Sequence, residues 1–154
     1  MLPPQKQKQA VDSDAVERLG GELATLVGAD WHRRDYGVAV SGGPDSMALL
    51  WLMASLLPGQ VRAATVDHGL RSGSAEEARM VAAFCAREHI PHATLTPDSP
   101  IAGSLQAAAR TARYDLLEGW RREQGIDFIV TAHHADDQLE TMIMRLNRSS
   151  GVGG

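Results

Sequence analysis

The chain has 154 residues, of which 44% are apolar and 22% charged, with a formal net charge of −4. That is enough apolar chain for one domain with a real core, and the acidic balance excludes a surface that binds nucleic acid by bulk charge, so any polynucleotide site must be a local arginine patch. One cysteine, Cys85, excludes an internal disulfide or a cysteine-based metal centre; no apolar run has membrane-spanning length and no signal peptide is recognisable, so a cytoplasmic protein without membrane contact is expected.

Residues 1–12 are polar, with Pro3-Pro4, and read as a mobile arm; residues 13–154 read as a single domain. Asp12 or Ser13 caps a helix running to about Val27, with Val16, Leu19, Leu23, Leu26 and Val27 on one face. The first strand is expected at 36–40 and is followed by Ser41-Gly42-Gly43-Pro44-Asp45-Ser46, then an apolar helical pattern to Leu57. A glycine turn between strand and helix aims backbone N–H groups at one point beside the positive end of a helix dipole, where a phosphate binds. Gly42 and Gly43 let the phosphate approach the main chain, and Ser41 and Ser46 add hydroxyls. Asp45 would repel phosphate unless a cation lies between them, which makes it a magnesium ligand. The alternative is a helix start capped by Asp45 or Ser46. The Walker motif is excluded, because no lysine follows Lys8.

A second strand is expected at 61–66, with Asp67-His68-Gly69-Leu70-Arg71 at its end; Asp67 and His68 either border a nucleoside or serve the loop. A helix begins at Ser72 or Ser74, presents Ala78, Val81, Ala82 and Cys85 to the core, and stops before Pro91. The third strand covers 92–96. Ser104 caps a long helix from Leu105 to about Gln124, in which Arg113 falls inside the apolar arc between Leu117 and Trp120, with Arg110 at its edge. An arginine there either pairs with an acid such as Asp115 or supplies counter-charge to an anion. The fourth strand is expected at 126–131, followed by a last helix to about Arg148. On that helix His133, Asp137, Glu140 and Met144 would share a stripe, with Ala135, Leu139, Met142, Ile143 and Leu146 on the core side. Asp137 and Asp45 are the pair for magnesium; His133 suits a phosphate oxygen or leaving group; a zinc site lacks a third His or Cys. Arg121, Arg122, Arg145 and Arg148 form either a phosphate-contacting patch or a solvated face.

Strands alternating with helices predict an α/β fold: a doubly wound, mainly parallel sheet with helices on both faces. Strand order 3-2-1-4 would make the first and fourth strands neighbours at the reversal of winding, where ligands bind.

The hexapeptide at 41–46 resembles the pyrophosphate-binding loop of the ATP pyrophosphatase superfamily, whose fold is adenine nucleotide alpha hydrolase-like. Together with Val66-Asp67-His68-Gly69-Leu70-Arg71, Ala108-Ala109-Arg110-Thr111-Ala112-Arg113-Tyr114 and Thr131-Ala132-His133-His134-Ala135-Asp136-Asp137-Gln138-Leu139-Glu140-Thr141, it resembles the tRNA(Ile)-lysidine synthetase family from about Tyr36 onward. The resemblance implies a ligase that uses ATP and Mg2+ to adenylate the wobble cytidine of a CAU-anticodon isoleucine tRNA, after which free L-lysine displaces AMP. Under it, residues 41–46, Asp67, His68 and Arg110 are expected to bind ATP, Asp45 and Asp137 to hold metal, Arg113, His133 and Asp137 to be catalytic, and Glu140 to hold the lysine ammonium. The closing segment Arg148-Ser149-Ser150-Gly151 departs from the family's Arg-Gly-Ser/Thr-Gly, and the chain stops where family members continue into tRNA-holding domains. The oligomeric state is not legible. Competing readings are another adenylating enzyme of the superfamily and an ATP-binding module without turnover.

Overall fold

A computed structural model describes residues 12–69, 73–98, 105–135 and 138–144 of the chain. The elements in order are α1 (Ser13–Val27), a short 3-10 turn (Trp31–Arg33), β1 (Tyr36–Ala39), α2 (Pro44–Leu56), β2 (Val61–Val66), α3 (Ser74–Arg87), β3 (His92–Leu95), α4 (Leu105–Gln124), β4 (Phe128–Ala135) and β5 (Gln138–Met144). They build one sheet of order β3-β2-β1-β4-β5. The first four strands are parallel, with Val38 opposite both Ala63 of β2 and Val130 of β4.

The strand order follows from where the apolar side chains go. Tyr36 and Val38 of β1, with Val40 just after it, join Leu23 of α1, Leu50 and Met53 of α2, and Val81 and Cys85 of α3 in one core. Ala39, one residue out of phase, joins Leu117 and Trp120 of α4 and Ile129 in a second core on the other face. Alternation along a strand thus divides the helices into two layers. The crossovers through α2 and α3 lie on one face and that through α4 on the other, so the winding reverses between β1 and β4.

Local signals set the helix ends. The Asp12 carboxylate accepts from the Asp14 N–H and caps α1. Pro44 occupies the first turn of α2, where its missing N–H costs nothing. Gly20 lets Trp31 pack within 3.5 Å of where its Cβ would stand, so Trp31 covers the core. Leu26 departs from the expected core face, being 60% exposed in the last turn of α1, while Val27, expected on the same face, does pack on the core.

The segment after β4 is a larger correction. In place of the expected last helix, β4 runs on to Ala135 and β5 returns antiparallel beside it, pairing Ala132 with Thr141 and Ile129 with Met144. The physical reason is competition for an open edge. β4 would otherwise end the sheet with unpaired backbone groups, and Leu139, Thr141 and Ile143 carry a period of two as well as a helical one. The helical stripe of His133, Glu140 and Met144 therefore does not form, nor does a helical core face of Leu139, Met142 and Ile143. Asp137 and Leu146 lie outside the described residues.

Candidate functional site at the ends of β1 and β2

The turn after β1 is built around Ser46. Its hydroxyl is buried, accepts from the Ser41 N–H at 3.2 Å and donates to the Gly43 carbonyl at 3.1 Å. With that proton committed, Ser41 Oγ donates to Ser46 Oγ at 3.1 Å and accepts from the Gly43 N–H at 3.3 Å. Both hydroxyls, expected to face a ligand, brace the turn. Gly42 has φ +90°, and a Cβ there would meet Glu77, Met80 and Val81 of α3 at 3.4–3.7 Å. The turn thus packs between the start of α2 and the side of α3, and glycine is favoured there by its positive φ, since a Cβ would meet only ordinary contacts. The first-turn N–H groups of α2 lack helical acceptors and open toward it, at the positive end of the helix dipole.

Beside the turn is a cleft of about 260 Å³ at the carboxyl ends of β1 and β2. Its polar wall brings together Ser41, Thr65, His68, Ser74, Glu77 and Arg113; the rest is Ala39, Val40, Ala64 and Val66. Three expected site residues, Ser41, His68 and Arg113, therefore share one space although they come from the ends of two strands and from the middle of α4. The cleft lies over β1 and β2, one strand away from the expected crevice between β1 and β4.

Arg113 is half-buried at the cleft and makes no ion pair among the described residues, so pairing with Asp115 does not account for it. Arg110 is exposed, with its guanidinium over the Tyr114 ring at 5.4 Å, and is not part of the cleft wall. Asp67 serves the loop. One carboxylate oxygen accepts from Ser74 Oγ at 2.7 Å and from the Gly69 N–H at 2.9 Å, and these bonds, the Ser74 one foremost, hold its carboxyl below the usual range. The arginine pair at the end of α4 is also engaged. Glu118 receives Arg121 Nε and Arg122 Nε, each at 2.8 Å, and Arg121 also donates to the Ile126 carbonyl. Arg145 and Arg148 lie outside the described residues.

His133 and Glu140 are Cα partners across the β4–β5 hairpin, so they remain neighbours by pairing rather than by helical spacing. Asp45 stands in the first turn of α2 next to the glycine turn. Among the described residues no group of three His, Cys, Asp or Glu gathers as a metal site. One carboxylate beside the glycine turn nevertheless fits magnesium, which would complete its shell from phosphate oxygens and water. The residues missed by sequence reasoning are Thr65, Ser74 and Glu77. Ser74 and Glu77 are one helical turn apart at the start of α3, directly after the 67–71 segment, which was the available signal. No helix of the described residues is long and apolar enough to cross a membrane.

Comparison with known proteins gives a consistent picture. The profile of the PP-loop domain family matches residues 17–154. A curated tRNA(Ile)-lysidine synthase of Novosphingobium aromaticivorans is 48% identical over 142 residues, covering 90% of this chain and 43% of that protein. Enzymes of the same name from Methylobacterium sp. and Zymomonas mobilis are each 50% identical, covering 92% and 77% of this chain and 40% and 36% of their own lengths. The chain thus spans less than half the length of these relatives. Among solved structures, the U34-tRNA thiolase NcsA of Methanococcus maripaludis superposes with TM-score 0.62 at 14% identity, covering 77% of this chain and 46% of its own. The NH3-dependent NAD synthetase of Campylobacter jejuni gives 0.55 at 15%, covering 75% and 54%. At those identities the likeness concerns the fold.

Proposed function

Because the chain belongs to the PP-loop domain family, we propose that it is the ATP-using catalytic domain of a tRNA(Ile)-lysidine synthase. The observation that carries this is the shared cleft: the braced turn after β1 and Arg113 meet at one site, in a chain 48–50% identical to enzymes of that name.

In this reading the ATP phosphates lie against the turn at 41–46 and the first-turn N–H groups of α2. The turn is rigid before the ligand arrives, because Ser41 and Ser46 fix it, so little reorganisation accompanies binding. The cytidine C2 oxygen attacks the α-phosphorus; the O–P bond forms as the bond to pyrophosphate breaks. Arg113, with no carboxylate of its own among the described residues, offers its charge to the phosphoryl oxygens as that bond breaks. Asp45 holds Mg2+, with Asp137 as second carboxylate; the ion, when bound, neutralises phosphate charge. His133 is assigned to the leaving group and Arg110 to the phosphates. The lysine ammonium, held by Glu140, gives one proton to solvent; the resulting amine attacks C2, AMP departs with the oxygen, and the nitrogen passes a second proton to solvent. Partners in this reading are free L-lysine and the CAU-anticodon isoleucine tRNA in the cytoplasm, the tRNA gripped by parts of the protein beyond residues 13–154.

A thiolation chemistry like that of the structural neighbour's name is disfavoured by Cys85. The single cysteine is fully buried, and burial pushes its thiol up to about 11, away from a reactive thiolate. A module that binds ATP without turnover would have less use for Arg113 in the cleft than an enzyme that must neutralise charge as pyrophosphate leaves. The test is mass spectrometry of CAU-anticodon tRNA after incubation with the chain joined to the remainder of the Novosphingobium relative. A cytidine heavier by lysine minus water, dependent on ATP and lysine, is expected; an unmodified wobble cytidine with ATP consumed would point to another substrate.

A further inference from the structure

We propose that Met80 is an oxidation site coupled to the turn at 41–46: a peroxide converts its thioether to the sulfoxide, and the new oxygen weakens phosphate binding at the turn. The coupling rests on the ATP site proposed above. Leu26 and Met80 are the two large apolar side chains left exposed among the described residues. Leu26 lies in the last turn of α1 and is not part of the cleft wall. Met80 is 49% exposed on α3 and stands against the glycine turn, where a Cβ on Gly42 would meet its Cε at 3.6 Å. Long side chains on a helix lean toward its N-terminus, which carries Met80 toward Glu77 and the turn. The other methionines with described side chains are shielded, Met53 fully and Met47 by packing on the core. Among these sulfurs, exposure and a place at the turn therefore coincide only at Met80.

The step needs only the peroxide. A sulfur lone pair attacks one peroxide oxygen, the O–O bond breaks, and the second oxygen leaves as water; sulfur is oxidised by two electrons and the peroxide reduced by two. A thioether is uncharged and a weak acceptor, so Met80 leaves the turn's positive field to an arriving anion. A sulfoxide oxygen is polar and a strong acceptor. Beside Gly42, at the positive end of α2, it is drawn to the same N–H groups that draw phosphate, and its partial negative charge opposes a second anion. Gly42 has no side chain to hold the new oxygen away from the main chain. Sulfoxide reductases reverse the change, which makes it a two-way control on the turn.

The experiment treats the chain and its Met80→Leu and Met80→Gln variants with hydrogen peroxide. Mass spectrometry maps the oxidised methionines, and ATP with magnesium is titrated before and after treatment. Met80 is expected to oxidise ahead of Met47 and Met53, and the treated chain to bind ATP roughly three- to tenfold more weakly. A methionine sulfoxide reductase then restores the affinity. Met80→Leu, which keeps an apolar flank on the turn, binds ATP like the untreated chain and is indifferent to peroxide. Met80→Gln, which carries an acceptor without oxidation, binds as weakly as the treated chain. Sulfoxide at Met80 without loss of affinity, an equal loss in Met80→Leu, or earlier oxidation of Met47 or Met53 would overturn the proposal while leaving the ATP site standing. A loss that accompanies unfolding in circular dichroism would overturn it as well. No ATP binding by the untreated chain would remove the site itself, and the coupling with it.

Discussion

The Ser46 hydroxyl, five residues along the chain from Ser41, accepts that residue's N–H at 3.2 Å and closes the turn on itself. A single buried oxygen thus fixes both ends of the glycine segment, since it also donates to the Gly43 carbonyl. Ser46→Ala leaves an N–H and a carbonyl of a tight turn without their partner. The expected cost is about 1–2 kcal/mol, a loss of several degrees in Tm, together with weaker ATP binding. Calorimetric unfolding beside nucleotide titration checks both. An unchanged Tm would mean that water replaces the hydroxyl.

Two glycines should respond in opposite directions. A Cβ on Gly37 would stand 2.6 Å from Trp120 and 2.9 Å from Ile129, because α4 lies directly on β1 there. Gly37→Ala is expected to destabilise by about 1–3 kcal/mol or more through overpacking. Gly21, in the exposed middle of α1, has nothing within 4 Å, and Gly21→Ala should raise stability by about 0.5–1 kcal/mol. Denaturant midpoints of the two variants give the signs.

Arg113→Ala should lower the rate of AMP release by roughly a hundred- to thousandfold while changing ATP affinity much less, because the charge is most useful when pyrophosphate departs. Arg113→Lys should recover part of the rate, as a point charge without the planar fork. Steady-state rates beside binding constants separate the two effects; a loss confined to affinity would make Arg113 a binding residue only.

Acid stability should depend on Glu118. The Arg121 guanidinium foremost, then Arg122, holds its carboxyl below the ordinary 4.5. A folded value below the unfolded one means that the stabilisation is complete above about pH 4.5 and fades as the pH falls through the folded value. Glu118→Gln should therefore lower Tm at neutral pH and differ less from the unmodified chain as the pH drops below 4. Parallel curves for the two proteins from pH 7 to pH 2 would show that the pair contributes nothing.

Much of this architecture is written locally. The 61–66 strand and the 105–124 helix follow from residue type and helical spacing, and the order 3-2-1-4, expected from the fold class rather than from any local signal, is present with β5 added beside β4. Arg113 stood out because an arginine in an apolar arc needs a reason, and it borders the cleft. What was not legible depends on distant partners. Whether residues 138–144 coil or extend depends on the free edge of β4, which no local pattern records. The hydroxyls of Ser41 and Ser46 read as ligand donors, but the turn uses them first. Thr65 was invisible as a cleft residue, since a threonine in a strand has no distinguishing spacing; only the meeting of β1 and β2 with α4 brings it to the wall.

The most direct measurement follows ATP labelled in the α-phosphate, incubated with magnesium, lysine and CAU-anticodon tRNA, on the chain alone and on its fusion to the remainder of the Novosphingobium relative. Label should leave as AMP from the fusion, and only when both lysine and the tRNA are present. Label appearing in ADP, or AMP release indifferent to lysine and tRNA, would contradict the proposed ligase chemistry.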